Sequence, residues 1–161
     1  MSKVLSLTNL DRNGNECILL GKWCYSKNEI TYGLSKNYEL NEYDQAGLDF
    51  HIKSNLVTKK AYMILLPILQ KSLNKKLNSN YTKKFWDILL GAWLTQYLDI
   101  LYERYATLIN FKNKYNAEFH VNLIDPDKYF VPLNSDDFSV ELMNDSLNHQ
   151  IYGQIINQLN M

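Results

Sequence analysis

The chain has 161 residues with 17 basic and 17 acidic side chains, so its formal charge is zero at pH 7, and its length predicts one domain. A content of 46% apolar and 13% aromatic residues supports a sizeable core and excludes the low-hydropathy composition of disorder, while the charge balance gives no electrostatic reason to expect general nucleic-acid or membrane-surface binding. No apolar run reaches the ~20 residues that span a bilayer, and the start, Met1-Ser2-Lys3-Val4, turns polar too soon for a secretory signal, so a cytoplasmic protein is expected.

Val4-Leu5-Ser6-Leu7 and Cys17-Ile18-Leu19-Leu20 are short apolar runs separated by the turn signal Asp11-Arg12-Asn13-Gly14-Asn15. Continuous runs of this length fit buried parallel strands better than the alternation of a one-sided sheet. Gly21-Lys22-Trp23-Cys24 follows, then a polar, Tyr-rich stretch to about residue 50, with one edge strand expected around Tyr38-Glu39-Leu40. From Leu56 the period becomes helical: Tyr62, Leu65, Leu66, Leu69, Leu73 and Leu77 predict a helix over roughly 55–78. Pro67 lies inside it and predicts a kink, because the carbonyl of Met63 loses its donor there. Asn78-Ser79-Asn80 ends this helix and offers caps for the next.

The second helix, from about Thr82 to Asn110, is apolar nearly all round, with Phe85, Trp86, Leu89, Leu90, Trp93, Leu94, Leu98, Leu101 and Leu108 among its residues. That pattern predicts a central helix packed on several sides. Asp87, Gln96, Asp99, Glu103 and Arg104 interrupt it and exclude a membrane span. Residues 117–123, Ala-Glu-Phe-His-Val-Asn-Leu, alternate as a strand does, with His120 expected half-buried. Asp125-Pro126-Asp127 makes a turn, and Asn134-Ser135-Asp136 can cap a short helix through Met143. A final amphipathic helix carries Leu147, Ile151, Tyr152, Ile155, Ile156 and Leu159. It has no Gly cap and reads as an element still in progress at Met161. With no repeat and no linker, the α/β order predicts a single domain over 1–161, a Rossmann-like half with a small, mainly parallel sheet and long packed helices.

Catalytic signatures are absent: no phosphate-binding loop, no GxGxxG, HExxH or GxSxG, and no clustered Cys and His that would hold a metal. Cys17 and Cys24 lack the CxxC spacing and read as ordinary semi-buried thiols. His51, His120 and His149 are scattered, and a lone histidine is more often structural; His51 and His149 lie in polar or element-terminal contexts that leave a functional role open. Asp99 and Glu103 share a helix face at i, i+4. Their plainer reading is a solvated stripe; the sharper one is an acid cluster with Arg104 lining a cleft and fixing an anionic ligand. Arg104 stands out because the chain uses 15 Lys and only two Arg, and a guanidinium alone supplies a rigid bidentate fork. Trp86 and Trp93 read as core. Trp23 and Cys24 follow a strand end and a glycine, the edge of an α/β sheet where ligands bind.

Several blocks, in order and over nearly the whole chain, resemble one family. Ile18-Leu19-Leu20-Gly21-Lys22-Trp23-Cys24 is similar to its "LFLGEWC" segment, and Phe85-Trp86-Asp87-Ile88-Leu89-Leu90-Gly91-Ala92-Trp93-Leu94 to its "yWriilGpWL" segment. Tyr102-Glu103-Arg104-Tyr105 matches "fDRw", and Leu147-Asn148-His149-Gln150-Ile151-Tyr152 matches "WNh-ly". The family comprises transferases of bacterial O-antigen and surface-polysaccharide clusters that resemble two-domain glycosyltransferases of the GT-B kind. Lys22 stands where the family has an acid, Ala92 where it has proline and Leu147 where it has an aromatic residue, and the family's members are much longer.

The resemblance implies an N-terminal, acceptor-side part of such an enzyme, inactive alone, with an exposed apolar patch where a C-terminal domain or separate partner chain would dock. It implies a saccharide acceptor, a nucleotide-sugar donor bound elsewhere, no cofactor or metal in this chain, and work at the inner face of the membrane. The implied acceptor cleft gathers Trp23, Cys24, His51, Arg104, Asn148 and His149. The alternative is a non-catalytic α/β module that binds a protein partner through the same surface.

Overall fold

The two continuous apolar runs become neighbouring parallel strands, β1 (Lys3–Ser6) and β2 (Cys17–Leu19), with Val4 opposite Cys17, Leu5 opposite Ile18 and Ser6 opposite Leu19. Leu5, Ile18 and Leu19 are all buried, as strands covered on both faces require. The computed structural model describes residues 3–11, 17–26, 39–41, 43, 47–115 and 119–160. Asp11 closes a 3-10 turn, Asn9–Asp11, while residues 12–15 of the expected turn and most of the Tyr-rich stretch lie outside the described residues. Past them, β3 (Glu39–Leu40) pairs with β2 as the expected edge strand, and β4 (Phe119–His120) pairs with the other side of β1. The sheet is parallel throughout, in the order β3-β2-β1-β4.

Strands are therefore added outward from β1 on one side and then on the other, which places the topological switch point between β1 and β4. Crevices for ligands open at the carboxyl ends of the strands flanking such a point. This is the expected Rossmann-like half. β4 is shorter than the alternation over 117–123 suggested, and His120 is exposed rather than half-buried. Among the described residues it pairs at two positions, on an outer strand, and His120 faces solvent.

Among the described residues, four α-helices accompany the sheet: α1 (Leu48–Lys76), α2 (Lys83–Tyr115), α3 (Ser135–Glu141) and α4 (Asp145–Leu159). The chain divides into two compact units, one formed by Met1–Tyr43 with Arg104–Met161 and the other by Asp44–Glu103. In the first unit, α4 is apolar on its inner side, where Leu147, Ile151, Tyr152 and Ile156 are buried. Asn144 precedes α4 as its N-cap, and Asn160 ends it in the left-handed conformation (φ 49°) that glycine usually fills. Asn134 caps α3 as expected, accepting from the backbone N–H groups of Asp136 and Asp137. Gln150 on α4 clamps Phe130 by accepting from its N–H at 2.8 Å and donating to its carbonyl at 3.1 Å, which fixes the irregular segment before α3.

The second unit is a helical hairpin made of α1 and α2 up to Glu103. α1 begins seven residues earlier than the periodicity indicated, because Leu48 and Ile52 in its first turns are exposed and give no inward stripe to read. The helix runs on through Pro67. Leu66, Trp86, Leu94 and Leu98 form the hairpin core, with Leu69, Leu73, Leu90 and Trp93 packed against it. The expectation of a helix buried on several sides is corrected here: Ile88 is 77% and Leu89 60% exposed, and Phe85 also faces solvent. Apolar residues all round a helix describe its composition; which faces are covered depends on how many neighbours exist to cover them.

One side chain organises the turn between these helices. The Asn74 amide oxygen accepts from the Tyr81 N–H (3.2 Å), the Ser79 hydroxyl (3.1 Å) and the Trp86 indole N–H (3.0 Å), while its amide nitrogen donates to the Tyr81 carbonyl (2.9 Å). Thr82, and not Asn78-Ser79-Asn80, caps α2 by accepting from the Phe85 N–H. Asn78 instead takes a left-handed conformation (φ 46°) in the turn. Replacing Asn74 by Ala strands these donors, so Asn74→Ala is expected to cost the hairpin about 1–3 kcal/mol. Urea unfolding followed by helical circular dichroism should show a lower midpoint with an unchanged slope.

Candidate functional site

The carboxyl ends of β1 and β4 are joined by one imidazole. His149, on α4 and only 3% exposed, places Nδ1 3.2 Å from the Thr8 hydroxyl just past β1, and Nε2 2.7 Å from the Asn122 carbonyl just past β4. A carbonyl can only accept, so Nε2 carries the proton and donates to Asn122. In the neutral ring Nδ1 then accepts from Thr8, whose oxygen accepts in turn from the Leu10 N–H. His149 therefore sits at the switch point itself, with both ring nitrogens engaged, and holds the crevice rather than offering a free base.

The end of β2 supplies the second wall. After Leu20 the chain bends through Gly21 into a single 3-10 turn, Lys22–Cys24. The Trp23 indole folds back over Gly21, donates its N–H to the Leu7 carbonyl at 3.0 Å, and lies nearly parallel to the Tyr152 ring, 9° and 6.2 Å between centroids. A β-carbon on Gly21 would come within 2.3 Å of the indole. Glycine is required here by that close approach, which gives the Gly-x-Trp-Cys segment a physical reason. Cys24 is fully buried, with its thiol directed at the Ser6 carbonyl at 3.4 Å; Cys17 is likewise a buried thiol.

Arg104 closes a third side. Its Nε and Nη2 donate to the Asn148 amide oxygen at 3.2 and 2.9 Å, and its guanidinium carbon lies 5.7 Å from the centre of the Tyr152 ring. Asn148 is itself fixed by donating to the carbonyls of Leu142 and Asn144. Only a planar fork can bond the amide while resting on an aromatic ring, which accounts for arginine in a lysine-rich chain. At the outer edge, Asn41 donates to the Leu20 carbonyl, yet its buried amide oxygen finds no partner among the described residues. A buried acceptor left open marks a place for a bound water.

Trp23, Arg104, Asn148 and His149 are thus brought together, and Cys24 is buried. His51 is placed elsewhere, in the second unit, where with Phe50, Ser54, Asn55, Asp99 and Glu103 it lines a pocket of about 410 Å³. Thr8, Asn41 and Tyr152 escaped the sequence reading. Thr8 and Asn41 follow strand ends without any motif, and Tyr152 reads as one more apolar residue on the inner face of α4. Of this cluster Trp23 is exposed and Arg104 and Asn148 are half-buried, so it presents an aromatic face, a guanidinium and an amide at the surface. Among the described residues no group of three or more His, Cys, Asp or Glu could hold a metal ion.

A wider groove of about 780 Å³ runs along the hairpin past Tyr62, Asp87 and Gly91. The Tyr62 hydroxyl donates to the Asp87 carboxylate. That bond first, then burial and the Asp87 charge, push the phenol from its usual 10 up to about 12. Gly91 makes room for the pair, since a β-carbon there would lie 2.9 Å from the phenolic oxygen.

The chain belongs to the LIC12162 family of transferases, whose family model matches residues 3–161. No curated protein and no solved structure matches it.

Two measurements check these geometries. Gly21→Ala should drive the indole off Tyr152, so the Trp23 indole N–H resonance should move and lose its protection from hydrogen exchange while the fold persists. For Tyr62, the raised value means that the phenol's contribution to stability is whole below pH 10 and is lost as pH rises toward 12. An NMR titration of ring-labelled tyrosine should find Tyr62 ionising near 12, and Asp87→Asn should bring it back most of the way to 10.

Proposed function

We propose that this transferase-family chain is the acceptor-binding side of a glycosyltransferase of O-antigen or other surface-polysaccharide biosynthesis, working at the inner face of the membrane. The nucleotide-sugar donor belongs to a further domain or partner chain, so transfer by these residues alone is not expected. The observation that carries the reading is the convergence of Trp23, Tyr152, Arg104 and His149 at the switch point of a parallel sheet. An exposed indole backed by a second aromatic ring is a platform for the C–H face of a sugar. Arg104 supplies the polar contact that orients ring hydroxyls. In this reading His149 positions the walls, Trp23 and Arg104 meet the saccharide, and Cys24 supports the turn. The exposed Val131, Leu133, Val140 and Met143 support a further covering domain, since apolar side chains in one short segment seldom stay uncovered.

The test titrates the isotope-labelled protein with oligosaccharides released from lipopolysaccharide. Resonances of Trp23 and Arg104 are expected to shift, and Trp23→Ala to weaken binding about tenfold, the loss of one stacking contact. Shifts at these residues with nucleotide sugars and none with glycans would reverse the assignment of sides. No shift with either would remove the cleft as a sugar site.

A further inference from the structure

The zero net charge conceals a strong segregation. Residues 50–86 carry eight of the 17 basic side chains and none of the 17 acidic ones, while residues 115–161 carry seven acids and a single lysine. The basic stretch is the hairpin: most of α1, the turn, and the first residues of α2.

Its lysines are ordered. Lys53, Val57, Lys60, Ile64, Ile68, Lys71 and Lys75 follow one another at steps of three and four residues, which aligns them along one side of α1. Every one is exposed, Ile64 by 63% and Ile68 by 52%. Lysines thus flank an aliphatic centre along a straight, solvent-facing stripe. The turn repeats the composition: Lys76, Lys83 and Lys84 surround exposed Leu77, Tyr81 and Phe85, with Tyr81 stacked on Phe85 at 4.2 Å. The nearest acids in sequence, Asp49 and Asp87, stand at the two ends of the stretch.

We propose that this lysine–aliphatic stripe and the aromatic turn beside it form a docking surface for an anionic lipid membrane. A nucleic acid would use the lysines but would leave Ile64, Ile68 and Leu77 in water. A second copy of the hairpin would bring like charges together along the whole stripe. A bilayer surface satisfies both components: headgroup phosphates meet the ammonium groups, and the lysine stems, isoleucines and aromatic rings reach the acyl boundary. No helix of the described residues is long and apolar enough to cross a membrane, so the contact lies in the interface plane. The proposal rests on the preceding reading only for there being a membrane at the place of work; the surface itself is argued from charge and exposure.

The experiment is co-sedimentation of the 161-residue chain with vesicles of phosphatidylcholine containing about one third phosphatidylglycerol, and with pure phosphatidylcholine vesicles. Binding is expected to the first and not the second, and to fall steeply with salt. The surface variant with Lys53, Lys60, Lys71 and Lys75 all changed to Gln should partition at least a hundredfold more weakly. Ile64→Ser with Ile68→Ser should cost about tenfold on vesicles while leaving any binding to a single-stranded oligonucleotide unchanged. Circular dichroism establishes that both variants keep the hairpin. Equal binding to neutral vesicles, no binding to either, an oligonucleotide bound more tightly than the anionic vesicles, or a dimer that covers the stripe would each overturn the proposal. None of these results would alter the outcome of the glycan titration, so the two readings fail separately.

Discussion

The sheet-bearing unit depends on the imidazole of His149. β1 and β4 are parallel neighbours separated by more than a hundred residues of sequence, and past the Val4–His120 pair their carboxyl ends need a further contact to hold them at a fixed spacing. A buried ring that accepts from Thr8 and donates to Asn122 does so, and anchors α4 by the same bonds. Asn148 and Tyr152 then occupy determined positions on that helix, because neighbouring positions on a helix are rigidly related. Arg104 takes its direction from Asn148, and Trp23 its support from Tyr152. One buried contact therefore sets the geometry of the whole cleft, and its hydrogen bonds must be complete because a buried imidazole with an open nitrogen would be costly.

The wall opposite is fixed by absence of volume. Gly21 is extended backbone that any residue could adopt, and its importance lies in the indole stacked over it. Bonding to the Leu7 carbonyl and lying against Tyr152, Trp23 remains 41% exposed. An aromatic ring that is rigid and yet partly in water is a binding surface with little conformational entropy left to lose.

The hairpin is built on different terms. Its core cluster is four buried apolar residues among those described, and the turn is held by the amide of Asn74 together with the packed rings of Tyr81, Phe85 and Trp86. So small a core leaves long helices with wide outer faces, and those faces carry the basic half of a charge distribution that cancels only over the whole chain. Net charge is a sum and says nothing about moments. The neutrality that argued against a membrane surface at the level of composition is compatible with one stretch, residues 50–86, carrying eight basic and no acidic side chains.

The elements themselves were legible from local signals: parallel strands from unbroken apolar runs, the capped α3 from Asn134 and the amphipathic α4 from its stripe. Arg104, Asn148 and His149 could be singled out by residue type and by family resemblance. Sequence alone could not decide which of them meet, because Arg104 bonds Asn148 across 44 residues and His149 reaches Thr8 across 141, distances over which periodicity carries no information. It also misjudged burial, placing His120 partly inside and the first turns of α2 against neighbours on several sides, since hydrophobic pattern records what a face could bury and only the number of packing neighbours determines what it does. Local backbone preferences set the strands, helices and caps; the cleft, the exposed stripe and the roles of Thr8, Asn41 and Tyr152 were decided by tertiary contact.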